Sequence, residues 1–254
     1  MSYTTEIYKQ QKIRKTKTGQ IYNRMNEGKG PLKWLYRKTF QPPILNDNNI
    51  QNEEKYYFQL TKDKENLDII DLGANECTFK SEKIRQDLKK HNYKRLDIDP
   101  ETNPDIIADL NKKVPIEDNK FDLAISVGLL EHIYNPKLSV DEMYRILKKN
   151  GIAYVIVPFM YRQHGAPRDY FRFTGFLLEK WFKDFSKVKI EPMGGYFSVF
   201  AMHFFLGTYI LDNLLLLGMF IRTITYPFWW VLTRLDKYDK YKLTASHYRV
   251  IAVK

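Results

Sequence analysis

The sequence predicts an α/β protein with a mostly parallel sheet. Three observations carry that expectation. Short β-branched runs alternate with helix-like stretches from about residue 66 onward. The run FDLAISV, from Phe121 to Val127, is apolar on both faces, as a strand covered on both sides must be. Val140, Met143, Ile146 and Leu147 then recur at helical spacing before another apolar run, Ile152 to Val157.

Taken in order, residues 1–50 are polar and basic, with Trp34, Leu35, Tyr36 and Phe40 as their dense apolar cluster. Pro42-Pro43 and Asn46-Asp47-Asn48-Asn49 break the pattern, so a boundary is expected near 45–55. The reading is a basic extension over 1–50 and one domain over 51–254. Leu67 to Leu72 reads as the first strand, ending at a glycine turn. Phe79 to His91, rich in Lys, Glu and Gln, reads as a surface helix. Leu96 to Asp99 and Ile106 to Asp109 read as two further strands. Gly151 falls where the helix of 140–147 wants a C-terminal cap. Thr174 can cap a helix with Phe176, Leu177, Leu178, Trp181 and Phe182 on its apolar side. His247 to Val253 alternates like a closing strand.

Composition narrows the function. The 254 residues carry a formal net charge of +11, unevenly spread. Residues 1–40 hold ten basic and two acidic side chains, and residues 222–254 hold seven and two. The middle holds 24 against 26. A neutral body with basic ends is not the pattern of a globally basic nucleic-acid binder. It suits ends lying on an anionic surface; solvated tails are the plainer alternative. A single cysteine, Cys77, excludes an internal disulfide framework and Cys-rich zinc sites. No His/Asp/Glu spacing suggests a metal. The opening MSYTTEIYKQQK reads as no secretory leader, so a reducing, cytoplasmic setting is expected.

In an open parallel sheet, ligands bind beyond the carboxyl ends of the strands. Asp71-Leu72-Gly73-Ala74-Asn75 follows the first strand, Asp97 ends the second and Asp109 the third. A glycine lets the backbone turn close to a ligand, and a carboxylate can accept from an ammonium group or from ribose hydroxyls. Each aspartate alone often only caps a turn. The ordered set suits a cationic nucleoside, and the glycines and lysine of a phosphate loop are absent.

The elements IIDLGANECTF, KRLDIDP, IIADLNKKVPIEDNKFDLAISVGLLEHI and MYRILKKNGIAYVIVPF together resemble a class I S-adenosylmethionine-dependent methyltransferase. They resemble the branch with an Asp-x-Gly-Ala turn, a Leu-Glu-His helix start and a His/Asp-Tyr-x-Arg-x-Thr loop, over about 66–190 and the last eight residues. The resemblance implies a Rossmann-like, seven-stranded methyltransferase sheet with S-adenosylmethionine as cofactor. Asp71, Gly73, Ala74 and Asn75 would line its methionine part. Asp97 would bind the ribose and Ile98 the adenine. Asp109 and Leu110 would flank the adenine edge, with Ser126 and Val127 closing the far side. Asn75 replaces the family's second glycine. Asn tolerates a left-handed backbone, so the turn can survive, and cofactor affinity is what the change affects.

Methyl transfer to a hydroxyl gains from a base that takes its proton. The candidates are His132, after Glu131, and His164, in a loop that also offers Asp169, Tyr170 and Arg172. Asp169 is the carboxylate of the catalytic set, and Tyr170 and Arg172 would meet the substrate. The plain alternatives are that His132 satisfies a buried backbone group and that the loop's aromatic residues only pin it to the sheet.

An apolar block precedes the last strand. Residues 196–232 carry two formal charges, Asp212 and Arg222, and no uncharged run suited to a helix reaches the roughly 20 residues a span requires. Phe228, Trp229 and Trp230 form an aromatic cluster of the interfacial kind, followed by Arg234, Lys237, Lys240 and Lys242. The block 196–236 therefore reads as an apolar helical insertion embedded in one leaflet of an anionic membrane; an apolar lid or dimer face is the alternative. The expected function is O-methylation of a lipid-linked glycan or other membrane-associated acceptor in cell-surface biosynthesis, on the inner face of the cell membrane. The rivals are a quinone or small-lipid methyltransferase and a non-catalytic binding module of the same fold. RNA methylation through the basic N-terminus would require steeply salt-dependent RNA binding, and nucleic acid is not the expected partner.

Overall fold

The computed structural model describes residues 49–62, 64–74, 77–165, 167–208, 211 and 217–254. The basic extension, Asn75 and Asp212 lie outside the described residues. The chain divides into two compact units. One comprises Ile50–Tyr161, Arg168–Met193 and His247–Lys254; the other includes Arg162–Pro167 and Gly194–Ser246.

The first unit is a seven-stranded sheet. Its strands are β1 (Asp68–Leu72), β2 (Asn92–Asp97), β3 (Ile106–Ile107), β4 (Phe121–Val127), β5 (Leu147–Pro158), β6 (Lys187–Met193) and β7 (His247–Val253). They lie in the order β3-β2-β1-β4-β5-β7-β6. β1 to β5 run parallel, and β7 is antiparallel to both β5 and β6. Helices α1 (Asn49–Thr61), α2 (Glu82–Leu88), α3 (Pro136–Ile146) and α4 (Gly175–Trp181) complete the unit.

Apolar side chains on both sides of the central strands hold it together. Ile70, Leu72 and Ala124 join one buried cluster with Val140, Met143 and Leu178. Ile69, Leu123 and Ile125, the alternate residues, join another with Tyr57, Phe79, Ile84 and Leu88. Such two-sided burial is why β1 and β4 read as nearly unbroken apolar runs.

Several local expectations need correction. The helix expected over 79–91 spans Glu82–Leu88, where Ser81 caps it, and it is not a wholly surface helix because Ile84 and Leu88 are buried. Phe79 instead enters the core edge-on to Tyr57, with ring centroids 5.2 Å apart. β3 is two residues long, ending at Ile107 rather than Asp109. Gly151 caps no helix: α3 ends at Ile146 and β5 begins at once. A Cβ at Gly151 would sit 2.8 Å from the Lys148 carbonyl oxygen and 3.0 Å from that of Phe121, so close backbone approach is what this position demands. Thr174 does cap α4, accepting from Leu177 N–H at 3.3 Å, but Phe176 points outward at 85% exposure. α1 and β6 were not read from the sequence.

The second unit carries α5 (Tyr196–Thr208), α6 (Leu217–Leu232) and a 3₁₀ segment, Thr233–Tyr238. Ala201, Phe205, Tyr226 and Trp229 form its buried cluster. The expected interfacial trio is thus split: Trp229 faces inward, while Phe228 and Trp230 are exposed. Among the described residues, no helix is long and apolar enough to cross a membrane.

Candidate active site

The site belongs to the sheet unit, where the strand order reverses direction. β1 lies between β2 and β4, so their carboxyl ends open where connections depart to opposite sides, the usual ligand crevice of such sheets. Leu72 is in register with Leu96 on one side and Ser126 on the other. The next residues along the three strands are Gly73, Asp97 and Val127, which brings three sequence-predicted positions to one row. Gly73 N–H donates to the Leu96 carbonyl at 2.7 Å, tying the turn to β2.

Gly73 adopts φ +69°. The backbone therefore requires glycine, and a Cβ there, 2.3 Å from Leu129 Cδ1, would have to displace the end of that side chain. Ala74, next in the turn, is buried. Asp71 sits beneath the turn, fully buried. Its Oδ1 accepts from the Thr78 hydroxyl at 2.6 Å; its Oδ2 accepts from Thr78 N–H at 2.9 Å and from the Tyr93 hydroxyl at 2.7 Å. Burial pushes the Asp71 carboxyl up despite these donors. Burial, and then the adjacent carboxylate, also push the Tyr93 hydroxyl up. Asp71 therefore organises the turn from below, and Thr78 and Tyr93 are its holders. Sequence reasoning missed both. Thr78 stands seven residues on, and the β1–β2 register that brings Tyr93 alongside is invisible in a linear reading.

Asp97 is buried, and its Oδ1 accepts from Asp99 N–H at 2.9 Å. Its other oxygen has no partner among the described residues. Ile98 beside it is exposed. Ser126 is completely buried, and its hydroxyl has no hydrogen-bond partner among the described residues. A buried polar atom left so is costly unless a ligand meets it. Asp109 accepts from Asn111 N–H and from its side-chain amide, both at 2.9 Å, and these bonds hold its carboxyl below the usual range. Leu110 turns into the core, where its carbonyl accepts from the Ser139 hydroxyl at 2.9 Å.

A second group of polar residues follows β4 and β5. Glu131 is buried, and His132 is partly exposed, with Nε2 3.9 Å from Glu131 Oε1. His132 Nδ1 contacts the Arg168 carbonyl oxygen. A carbonyl only accepts, so Nδ1 carries the proton there, and a neutral ring then holds its lone pair on Nε2. Tyr170 N–H donates to the Glu131 carbonyl at 2.8 Å, and its exposed ring meets Tyr134 edge-on at 5.8 Å. Asp169 and Arg172 form a two-pronged ion pair at 2.6 and 2.8 Å. That pairing raises the Arg172 pKa. Arg172 also donates to the Tyr161 carbonyl at 2.9 Å, so this pair fastens the loop to the end of β5. His164 falls in the Arg162–Pro167 segment of the other unit, its Nδ1 3.3 Å from the Arg162 carbonyl oxygen.

Residues 66–155 match the family described as a methyltransferase domain. Residues 66–155 thus carry a methyltransferase domain. The methyltransferase domain accounts for the parallel strands β1 to β5 and their crevice. No curated protein matches the chain. Among solved structures, it is similar to an S-adenosylmethionine-dependent methyltransferase from Archaeoglobus fulgidus, with a TM-score of 0.50 and 13% identity over 87% of this chain and 99% of that one. It is also similar to phosphoethanolamine N-methyltransferase 2 from Haemonchus contortus, solved with phosphomonomethylethanolamine and S-adenosylhomocysteine. That TM-score is 0.50 at 13% identity, over 92% of this chain. The methyltransferase domain and its flanking elements here span 60% of the Haemonchus enzyme. At such identity the likeness is one of fold.

Proposed function

We propose that the protein transfers a methyl group from S-adenosylmethionine to a hydroxyl of a lipid-linked glycan or other membrane-associated acceptor, working at the cytoplasmic face of the cell membrane. The residues of the crevice fit the cofactor. Gly73 turns the backbone left-handed at the end of β1, the spare oxygen of Asp97 suits a ribose diol, and the Ser126 hydroxyl awaits a partner. Exposed Ile98 offers an apolar face to adenine. S-adenosylmethionine supplies, when bound, an electrophilic methyl on a sulfonium.

The chain's own groups do the rest. His132, oriented through Nδ1 by the Arg168 carbonyl, presents Nε2 as the acceptor of the hydroxyl proton. Buried Glu131 stands beside it, with Oε1 3.9 Å from Nε2. Tyr170, standing exposed on a loop fixed by the Asp169–Arg172 pair, contributes an aromatic face for the acceptor.

One observation carries the membrane part of the reading. Leu217, Phe220, Ile224, Phe228 and Val231 of α6 recur every three or four residues and are 42–64% exposed, while Gly218, Arg222, Tyr226 and Trp229 are buried. A helix that turns its large apolar residues outward as a continuous stripe is built for an apolar surrounding. Arg234 lies over the Trp230 ring, 3.1 Å from its centroid, pairing a cation with an interfacial aromatic.

The test uses the full chain, methyl-labelled S-adenosylmethionine and vesicles containing a polyprenyl-linked glycan. Label in the organic-extractable glycolipid, stable to mild alkali as an ether is, supports the reading. Label in a quinone overturns the acceptor. Absence of S-adenosylmethionine binding by calorimetry overturns the enzyme and leaves a binding module.

A further inference from the structure

We infer that an aromatic cleft of about 660 Å³ in the helical unit binds the hydrocarbon chain of an anionic lipid. Naming that lipid as the acceptor rests on the membrane-acceptor reading above; the cleft itself does not. Its lining includes Tyr196 and Phe197 at the start of α5, Leu235 and Tyr238 of the 3₁₀ segment, and Tyr241 and Leu243 beyond it. The volume lies within the roughly 300–1,000 Å³ of ordinary ligand sites.

The polar groups around this cleft are already engaged. Asp236 accepts from Phe197 N–H at 2.8 Å and Ser198 N–H at 3.1 Å, capping α5. Asp239, which lines the cleft, accepts from Tyr196 N–H through one oxygen and from Lys242 N–H through the other, each at 3.0 Å. Both oxygens of Asp239 already accept from backbone N–H groups, which spreads its negative charge over the protein's own amides without removing it. Aromatic and leucine side chains remain to make the contacts.

Residues 234–242 beside the cleft hold four basic side chains, Arg234, Lys237, Lys240 and Lys242, against the two aspartates. Lys237 Nζ lies 4.7 Å from the Tyr238 ring centroid, and Lys240 Nζ lies 5.9 Å from that of Tyr241. An apolar slot edged by two ammonium groups is complementary to an alkyl or prenyl chain that ends in a phosphate. Tyr238, Tyr241 and Leu243 are more than 70% exposed, an arrangement that leaves large apolar area in water until such a chain covers it.

The test is calorimetric titration of the full-length protein with octyl, decyl and dodecyl phosphate below their micelle concentrations, with inorganic phosphate and decanol alongside. Affinity should rise about fourfold per methylene entering the cleft. Inorganic phosphate should not bind measurably, and decanol should bind more weakly than decyl phosphate. Leu243→Glu, at an exposed position, should weaken decyl phosphate at least about tenfold with an unchanged melting temperature. Lys237→Ala with Lys240→Ala should erase the advantage of decyl phosphate over decanol. An affinity independent of chain length, or one that Leu243→Glu leaves intact, overturns the site. S-adenosylmethionine titration of the same samples keeps the two readings apart: its failure sinks the methyltransferase reading and leaves the alkyl series standing.

Discussion

The sheet unit and the helical unit solve opposite problems. At the carboxyl end of β1, the sheet unit buries polar groups: Asp71 lies in the interior with three donors, and Ser126 is enclosed at the end of β4. In α6, the helical unit exposes apolar ones, from Leu217 to Val231. Water makes both arrangements costly, the first through desolvation and the second through exposed hydrocarbon. Each therefore marks a surface specialised for something other than water. Under the function proposed here, the crevice meets a polar nucleoside and α6 meets a hydrocarbon phase.

The sharpest way to break the contrast is at Gly73. Gly73→Ala would force a left-handed alanine, at about 1–2 kcal/mol. It would also drive Cβ against the Leu129 side chain. Calorimetry should show S-adenosylmethionine affinity falling by about 100-fold, equivalent to some 2.7 kcal/mol, with vesicle binding unchanged. The converse test pairs two exposed apolar residues. Ile224→Asp, on the α6 stripe, should abolish co-flotation with anionic vesicles while leaving cofactor affinity intact. Phe176→Asp, on the more exposed Phe176 of the sheet unit, should change neither. Equal flotation of the two variants would mean that the α6 stripe has no special role.

How far the sequence could be read follows the same division. The strands β1, β4 and β5 were legible because two-sided burial leaves apolar runs bounded by turn residues, and β7 because its residues alternate. The sequence could place Asp71, Gly73 and Asp97 near strand ends because a parallel sheet puts strand ends where ligands bind, whereas Ser126 came from the family resemblance. β6 escaped because Lys187, Val188 and Lys189 are all exposed on an edge strand, so no alternation marks it. α1 escaped because just two of its described side chains, Tyr57 and Thr61, are deeply buried, although the spacing of Tyr57, Leu60 and Thr61 was a usable signal. The inward turn of Trp229 depends on where Phe204, Phe205 and Tyr226 lie, which is tertiary information. The same holds for the grip of Thr78 and Tyr93 on Asp71.

That grip gives a smaller, graded test. Tyr93→Phe keeps the ring and removes one of three donors to a buried carboxylate. The expected cost is about 1–3 kcal/mol by denaturant unfolding, because the acceptor stays buried. A loosened turn should also weaken S-adenosylmethionine several-fold. If Tyr93→Phe lowered stability without touching cofactor affinity, Asp71 would be a core residue and not the support of the turn.

The smallest effect is expected at the opposite end of the strands, where water already screens the charges. Lys148 Nζ bridges Asp68 at 2.7 Å and Asp122 at 2.8 Å. Its hydrogen bond lowers the Asp68 pKa, and the bonds it donates to Asp122 and then Asp68 raise its own. The signs are opposite, so the bridge acts over a window. The Asp68 contribution is present above the unfolded value near about 3.9 and lost as pH falls through its lower folded value. The Lys148 contribution is complete below the unfolded value near about 10.4 and lost as pH rises through its higher folded value. Lys148→Met should therefore lower stability across neutral pH and converge with the parent at both extremes. With all three side chains about one-third exposed, the loss should stay below about 1 kcal/mol and shrink further in salt. A deficit that persisted below both carboxyl pKa values would show that packing of the lysine stem, and not charge, supplies what Lys148 contributes.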